Sequence, residues 1–218
     1  MLQHFTGDLR ELEQRSSVQM QNYAEQHGAE YRLLLGNVFN EALSPPCQKL
    51  AMLNKEFDEY DIVVMTDLDM FPRKGITESI FEVDGIGVSG PFQRKLKWSS
   101  IRKFKSYFHW RYPYWGGAIW RLTREQRQLF RSHLHRVDLN KYSGGKFEDE
   151  GIMHQLARHA KFSGGALPGV DKWAHGSYQP GIEQAAMIHI RNHLDLKGPK
   201  LGKLAVLNAL VDQGIIAP

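Results

Sequence analysis

The run Asp61-Ile62-Val63-Val64-Met65-Thr66 constrains this chain more than any other stretch. It is short, β-branched and almost wholly apolar, the length of a strand rather than of a helix. Polar residues do not alternate through it, so both of its faces have to be covered. A strand covered on both faces belongs to a sheet with other elements packed on each side.

Helix and strand patterns alternate around that run. Leu9, Leu12, Met20 and Tyr23 recur near helical spacing and Gly28 follows as a stop, which predicts a first helix over Asp8–His27. Leu2–Thr6 predicts a short first strand running into Gly7, and Ala29–Leu35 predicts a second. Ser44-Pro45-Pro46 reads as a helix start, with Ser44 as the cap and prolines in the first turn. That helix is expected to reach about Glu59, with Leu50, Leu53 and Phe57 inward. Further strands are predicted at Ile86–Ser89, Trp115–Leu122 and Ala186–Ile190. Further helices are predicted at Thr123–Leu134, Glu148–His159 and Lys200–Gln213. The alternation makes the chain an α/β protein.

The 218 residues suit one large domain, or one with a small appendage, and a core of this size needs no disulfide. Cys47 is the single cysteine, so no intrachain disulfide forms, which fits a reducing, cytoplasmic setting. No apolar run approaches the ~20 residues of a membrane helix. The segment Met1–Arg10 is polar and lacks a signal-peptide core. The net charge of +4 is small, but Arg94, Lys95, Lys97, Arg102, Lys103 and Lys105 crowd into one acid-free stretch. Such a stretch is either a solvated loop or a binder of phosphates. With Trp98, Phe104 and Phe108 interleaved or flanking, it also allows a peripheral membrane contact. No nucleic-acid-binding signature accompanies it, so a nucleic-acid partner is not expected.

Asp67 and Asp69 follow the apolar strand directly. Residues two apart in an extended chain point to one side, with their attachment points ~6–7 Å apart. Both carboxylates then approach one divalent cation, or one takes the ion and the other a ribose hydroxyl. Open α/β sheets place their sites at the carboxyl ends of strands, where this pair falls. Oxygen ligands suit Mg²⁺ or Mn²⁺, and a nucleoside diphosphate would supply more of them. The competing reading is that the two aspartates only cap a turn ahead of Pro72–Gly75.

The segment DIVVMTDLDMFP resembles the D-x-D motif of glycosyltransferases with the GT-A fold. NYAEQHGAEYRLL resembles their helix and second strand, and Gln48-Lys49-Leu50 the helix before the D-x-D strand. The resemblance implies a single compact domain with a Rossmann-like, mostly parallel central sheet flanked by helices. The nucleotide-binding half would be about residues 1–90 and the acceptor-binding half about 91–218. It implies a UDP- or GDP-sugar donor, a divalent cation, usually Mn²⁺, and a glycan or glycoprotein acceptor. It places the donor against the loop after the first strand, here Thr6, Gly7 and Asp8, and against Lys49 and Asp67. The first strand is shorter here than in the family.

The other site residues follow from the same resemblance. An inverting transfer needs a general base, and Phe147-Glu148-Asp149 resembles the x-E-D motif whose aspartate is that base. Acids in a first helical turn also simply favour the helix dipole. Gly116-Gly117 would let the backbone approach a ligand, and Gly117 maps onto a glycine-containing strand that touches the donor sugar or acceptor. Tyr114 or Trp115 would either stack on a sugar or pack in the core. His189, after a late strand, corresponds to the family's third metal ligand beside Asp67 and Asp69, with His193 as substitute. Arg191 or Lys197 is suited to the diphosphate. The rival reading is a metal-dependent nuclease or nucleotide hydrolase using the paired carboxylates. The sequence carries no phosphate-loop or serine-elbow motif for other chemistries.

Overall fold

The computed structural model describes residues 1–88, 109, 111–142, 147–169, 171–195 and 197–218. The basic run from Arg94 to Lys105, with Trp98, Phe104 and Phe108, lies outside the described residues. In chain order the elements begin with β1 (Leu2–Phe5), α1 (Glu11–Gln26) and β2 (Arg32–Leu35). Next come the 3₁₀ segments Pro45–Leu53 and Lys55–Phe57, then β3 (Ile62–Thr66), β4 (Met70–Pro72) and β5 (Gly87–Val88). The second half holds β6 (Gly116–Thr123), α2 (Arg124–Ser132), α3 (Glu148–His159), β7 (His175–Gly176), β8 (Met187–His189) and α4 (Lys203–Asp212).

The main sheet has the order β2-β1-β3-β6-β5. β1 runs parallel to β2 and β3, while β6 is antiparallel to both β3 and β5. Strands β1, β2, β3 and β5 therefore share one direction and β6 opposes them, so the sheet is mostly parallel as expected. The order reverses at β1, with β2 on one side and β3 on the other, which opens a crevice at the carboxyl ends of β1 and β3. A second sheet, β4-β8-β7, packs beside it.

The expected covering of β3 on both faces is present. Val63 and Met65 enter a cluster with Leu50, Leu53, Phe57, Trp115, Trp120, Phe130 and Leu156. Val64 points the other way, toward Met20, Tyr23, Ile80 and Ile119. A third cluster joins Phe71 and Ile188 of the small sheet, and the adjoining Ile190, to Leu207 and Leu210 of α4. No helix among the described residues is long and apolar enough to cross a membrane.

Several boundaries differ from the sequence expectation. α1 starts at Glu11 rather than Asp8, because the Glu13 carboxylate accepts the Arg10 N–H at 3.1 Å and so caps the helix there. The element after Ser44 is 3₁₀ and ends in two pieces instead of one helix to Glu59. Every residue from Cys47 to Leu53 is buried, so this segment has no solvent face of the kind a surface helix shows. Ser44 does not cap it; its hydroxyl donates to Glu148 Oε2 at 2.8 Å. Strands β4 and β7 were not anticipated, being three and two residues long.

Candidate active site

The pairing of β4 with β8 sets Met70 opposite His189, and the Ile190 N–H donates to the Asp69 carbonyl at 2.9 Å. This register carries a histidine from late in the chain to the turn that follows β3. The turn itself is held by a buried polar network. Gln3 Nε2 donates to the Asp67 carbonyl and to Ser16 Oγ, both at 3.0 Å, and Ser16 Oγ donates to the Met70 carbonyl at 2.8 Å. Gln3 Nε2 and Ser16 Oγ thereby find partners, and the backbone of the turn is held at the Asp67 and Met70 carbonyls.

His189 Nε2 lies 3.0 Å from Asp69 Oδ1 and 3.9 Å from Asp67 Oδ2. One donor atom from each of the three residues fits within 4.8 Å of the others. Asp69 Oδ1 is buried without a hydrogen-bond partner, so the contact with His189 is close but misaligned. An orphaned carboxylate oxygen facing an imidazole nitrogen and a second carboxylate suits a small divalent cation. The Lys203 ammonium pairs with the other Asp69 oxygen, Oδ2. Burial alone would raise the Asp69 carboxyl, but His189 and Lys203 outweigh it and hold it well below the usual range.

Lys49 anchors the opposite side. Its Nζ is 2.6 Å from Asp67 Oδ1, 2.7 Å from Asp149 Oδ2 and 2.6 Å from the Gly117 carbonyl. Burial would lower this ammonium, yet the carboxylates of Asp149 and Asp67 prevail and push it up, so it stays charged. Gly117 is needed for this packing. A Cβ there would come within 2.4 Å of Asp149 Oδ2 and 3.2 Å of Lys49 Nζ.

The first turn of α3 carries Glu148, Asp149 and Glu150, all buried. The helix N-terminus favours their charge, but they face the interior rather than solvent. Glu150 Oε1 accepts the Gly117 N–H at 2.9 Å. Burial, then the neighbouring Asp149, pushes the Glu150 carboxyl up to about 8. Phe147 precedes the helix with φ of 66°, a left-handed conformation uncommon outside glycine.

These groups border one cleft of about 480 Å³ whose lining includes Thr6, Lys49, Asp67, Gly117, Asp149, His189 and Arg191. Six sequence-predicted residues therefore share it with the D-x-D aspartate Asp67. Asp69 joins through its contact with His189. His4 lines the same cleft, its Nε2 2.7 Å from the Gly36 carbonyl, and burial chiefly lowers its pKa. The Arg191 guanidinium makes no hydrogen bond or ion pair among the described residues. Gly7 turns the chain at φ of 117°, and both it and Asp8 are exposed outside the lining.

Other sequence expectations resolve differently. Trp115 is buried against Phe130 and Phe162, and Tyr114 is buried against His154, so neither ring is free to stack on a sugar. Lys197 is exposed, and neither it nor His193 is among the cleft-lining residues. Sequence reasoning missed Lys203, which opens α4 and lies 134 residues from its partner Asp69. No local pattern marks such a pair.

No family model matches the sequence, and no curated protein matches it. Solved structures do. The apo structure of the bifunctional glycosyltransferase WbbM aligns with a TM-score of 0.57 at 13% identity, over 89% of this chain and 46% of that one. A glycosyltransferase involved in glycosylation of the major capsid of PBCV-1 aligns with a TM-score of 0.50 at 9% identity, over 96% of this chain and 98% of that one. The chain thus has the GT-A fold of the glycosyltransferases.

Proposed function

We propose that this chain is a metal-dependent glycosyltransferase that moves a sugar from a UDP- or GDP-sugar to an acceptor hydroxyl on a glycan. The observation that carries the reading is the meeting of Asp67, Asp69 and His189 beside a cleft at the carboxyl ends of β1 and β3. The similarity in fold to glycosyltransferases supports the same class of chemistry. Mn²⁺ or Mg²⁺ held by those three residues would neutralise the departing nucleoside diphosphate. Asp69 is the principal ligand in this reading, and Asp67 shares the ion or turns to the ribose.

The chain's own groups complete the site. Thr6 and the adjoining Gly7 and Asp8 meet the base or ribose. The Arg191 guanidinium, without a partner among the described residues, offers a forked donor to the diphosphate. Lys49 fixes Asp67 and Asp149 at a set separation through one ammonium. Asp149 would take the proton of the acceptor hydroxyl in an inverting transfer.

Thermal unfolding with UDP, GDP and their sugars, with and without Mn²⁺, tests the reading. A ligand at one hundred times its dissociation constant adds about 2.7 kcal/mol of stability, a shift of several degrees for a chain of this size. Absence of a shift with every nucleoside diphosphate refutes the proposal.

A further inference from the structure

We propose that Asp171, Tyr178 and Gln179 form the subsite for the acceptor, and that the acceptor group they receive is an uncharged sugar. The inference rests on the glycosyltransferase reading above.

A small branch of about 40 Å³ opens beside the main cleft. The two share Gly117, Ala118, Phe147, Glu150, His189 and Arg191 as a common wall. The main cleft alone is lined by β1 and Lys49, while the branch alone is lined by Asp171, Tyr178 and Gln179. A molecule in the branch therefore reaches the shared wall without occupying the part of the cleft lined by β1, Thr6 and Lys49. That is the arrangement a two-substrate transfer needs.

The polar side chains particular to the branch are a carboxylate, a phenol and a carboxamide. An aromatic face beside oxygen and amide groups matches a sugar, which presents a C–H face and a row of hydroxyls. Asp171 would repel an anionic group, and among the described residues the branch adds no Lys or Arg beyond the shared Arg191. Tyr178 is half-buried, and its hydroxyl makes no hydrogen bond among the described residues. A water molecule's share of liquid volume is ~30 Å³, so the branch admits only one edge of a ring. The rest of the acceptor would extend outward, as a terminal residue of a longer glycan does.

The wall is also fixed in place. Gln179 Nε2 donates to Asp171 Oδ2 at 3.1 Å, and Gln179 Oε1 accepts the Gly176 N–H. Tyr178 lies so close to Gly176 that a Cβ there would sit 3.2 Å from its ring. The Ser177 N–H donates to the His189 carbonyl at 3.0 Å, and Ser177 Oγ accepts the Arg191 N–H at 3.0 Å. The acceptor wall is thereby tied to the strand that carries His189.

Saturation-transfer NMR with a panel of p-nitrophenyl glycosides, on protein loaded with UDP and Mn²⁺, tests this. At least one glycoside is expected to bind without being displaced by UDP. Tyr178→Ala is expected to weaken that binding about tenfold, as loss of an aromatic contact does, and Tyr178→Phe to retain most of it. UDP affinity by calorimetry stays within about twofold in both variants, which also reports that they are folded. The proposal is overturned if no glycoside binds the UDP-loaded protein, if UDP displaces the glycoside, or if Tyr178→Ala leaves its binding unchanged. A wild-type protein that binds no UDP at all instead refutes the underlying donor reading.

Discussion

The ammonium of Lys49 and the carboxylate of Asp149 stand 2.7 Å apart, with side chains only 7% and 5% exposed. The same ammonium reaches Asp67, so one buried charge joins the 3₁₀ segment, the D-x-D turn and the start of α3. Lys49→Met leaves Asp149 buried with no counter-charge among the described residues. Breaking one side of such a pair costs about 3–5 kcal/mol. Urea unfolding near neutral pH is expected to show that loss, with partial recovery in the Lys49→Met/Asp149→Asn double variant. A loss well below 1 kcal/mol would mean that water reaches the pair.

Glu150 makes stability depend on pH. Its carboxyl is raised from 4.5 to about 8 in the folded chain, chiefly by burial. Between those values the folded state keeps a proton that the unfolded state has lost. The contribution is therefore fully present below the unfolded pKa and is lost as pH rises through the folded one. Glu150→Gln removes this slope. Denaturant midpoints measured from about pH 5 to about pH 9 are expected to converge at the acid end and to favour the variant increasingly at the alkaline end, by a few kcal/mol. Parallel curves for the two proteins would contradict the burial assigned to this carboxyl.

How far the site could be read in advance depended on whether its causes were local. Asp67 and Asp69 stood out because a covered strand precedes them, whereas Asp149 was singled out through resemblance, the local pattern giving only the range of its helix, Glu148–His159. His189 was found through resemblance, since its position beside Asp69 comes from the β4–β8 register and not from spacing. Gln3, Ser16 and Lys203 act on the D-x-D turn across the fold, and nothing adjacent to them in sequence signals it. Tyr114 and Trp115 were open to two readings, and the choice between sugar and core was made by Phe130, Phe162 and His154, which are distant in sequence. The half-exposed Tyr178 lies between a two-residue strand and a proline, where periodicity has nothing to register.

Gly117 is a further sensitive point, for a steric rather than a conformational reason. A methyl group there would collide with Asp149 Oδ2 at 2.4 Å and press on Lys49 Nζ at 3.2 Å. Lys49 is also held by Asp67 and the Gly117 carbonyl, so neither partner can retreat without weakening their ion pair. Gly117→Ala is expected to lose about 1–3 kcal/mol, the usual range for overpacking. Gly165→Ala, where an added Cβ meets nothing within 4 Å, serves as the control and should match wild type within about 0.5 kcal/mol. Equal stabilities of the two variants would show that the Lys49–Asp149 contact is loose.

Lys203 bears on the cation itself. Its ammonium occupies Asp69 Oδ2, while Oδ1 faces His189. A divalent ion drawing on Asp69 then competes with a positive charge already paired with that carboxylate, and also meets its repulsion. Lys203→Met removes both effects and keeps the length of the side chain. Mn²⁺ is therefore expected to bind the variant more tightly, by about tenfold or ~1.4 kcal/mol. Asp69→Asn is expected to abolish binding, because a neutral amide replaces the carboxylate proposed as the principal ligand. Calorimetric titration of Mn²⁺ without nucleotide separates the cases. Weaker binding in Lys203→Met would assign the lysine a supporting role, holding Asp69 in place for the ion rather than opposing it.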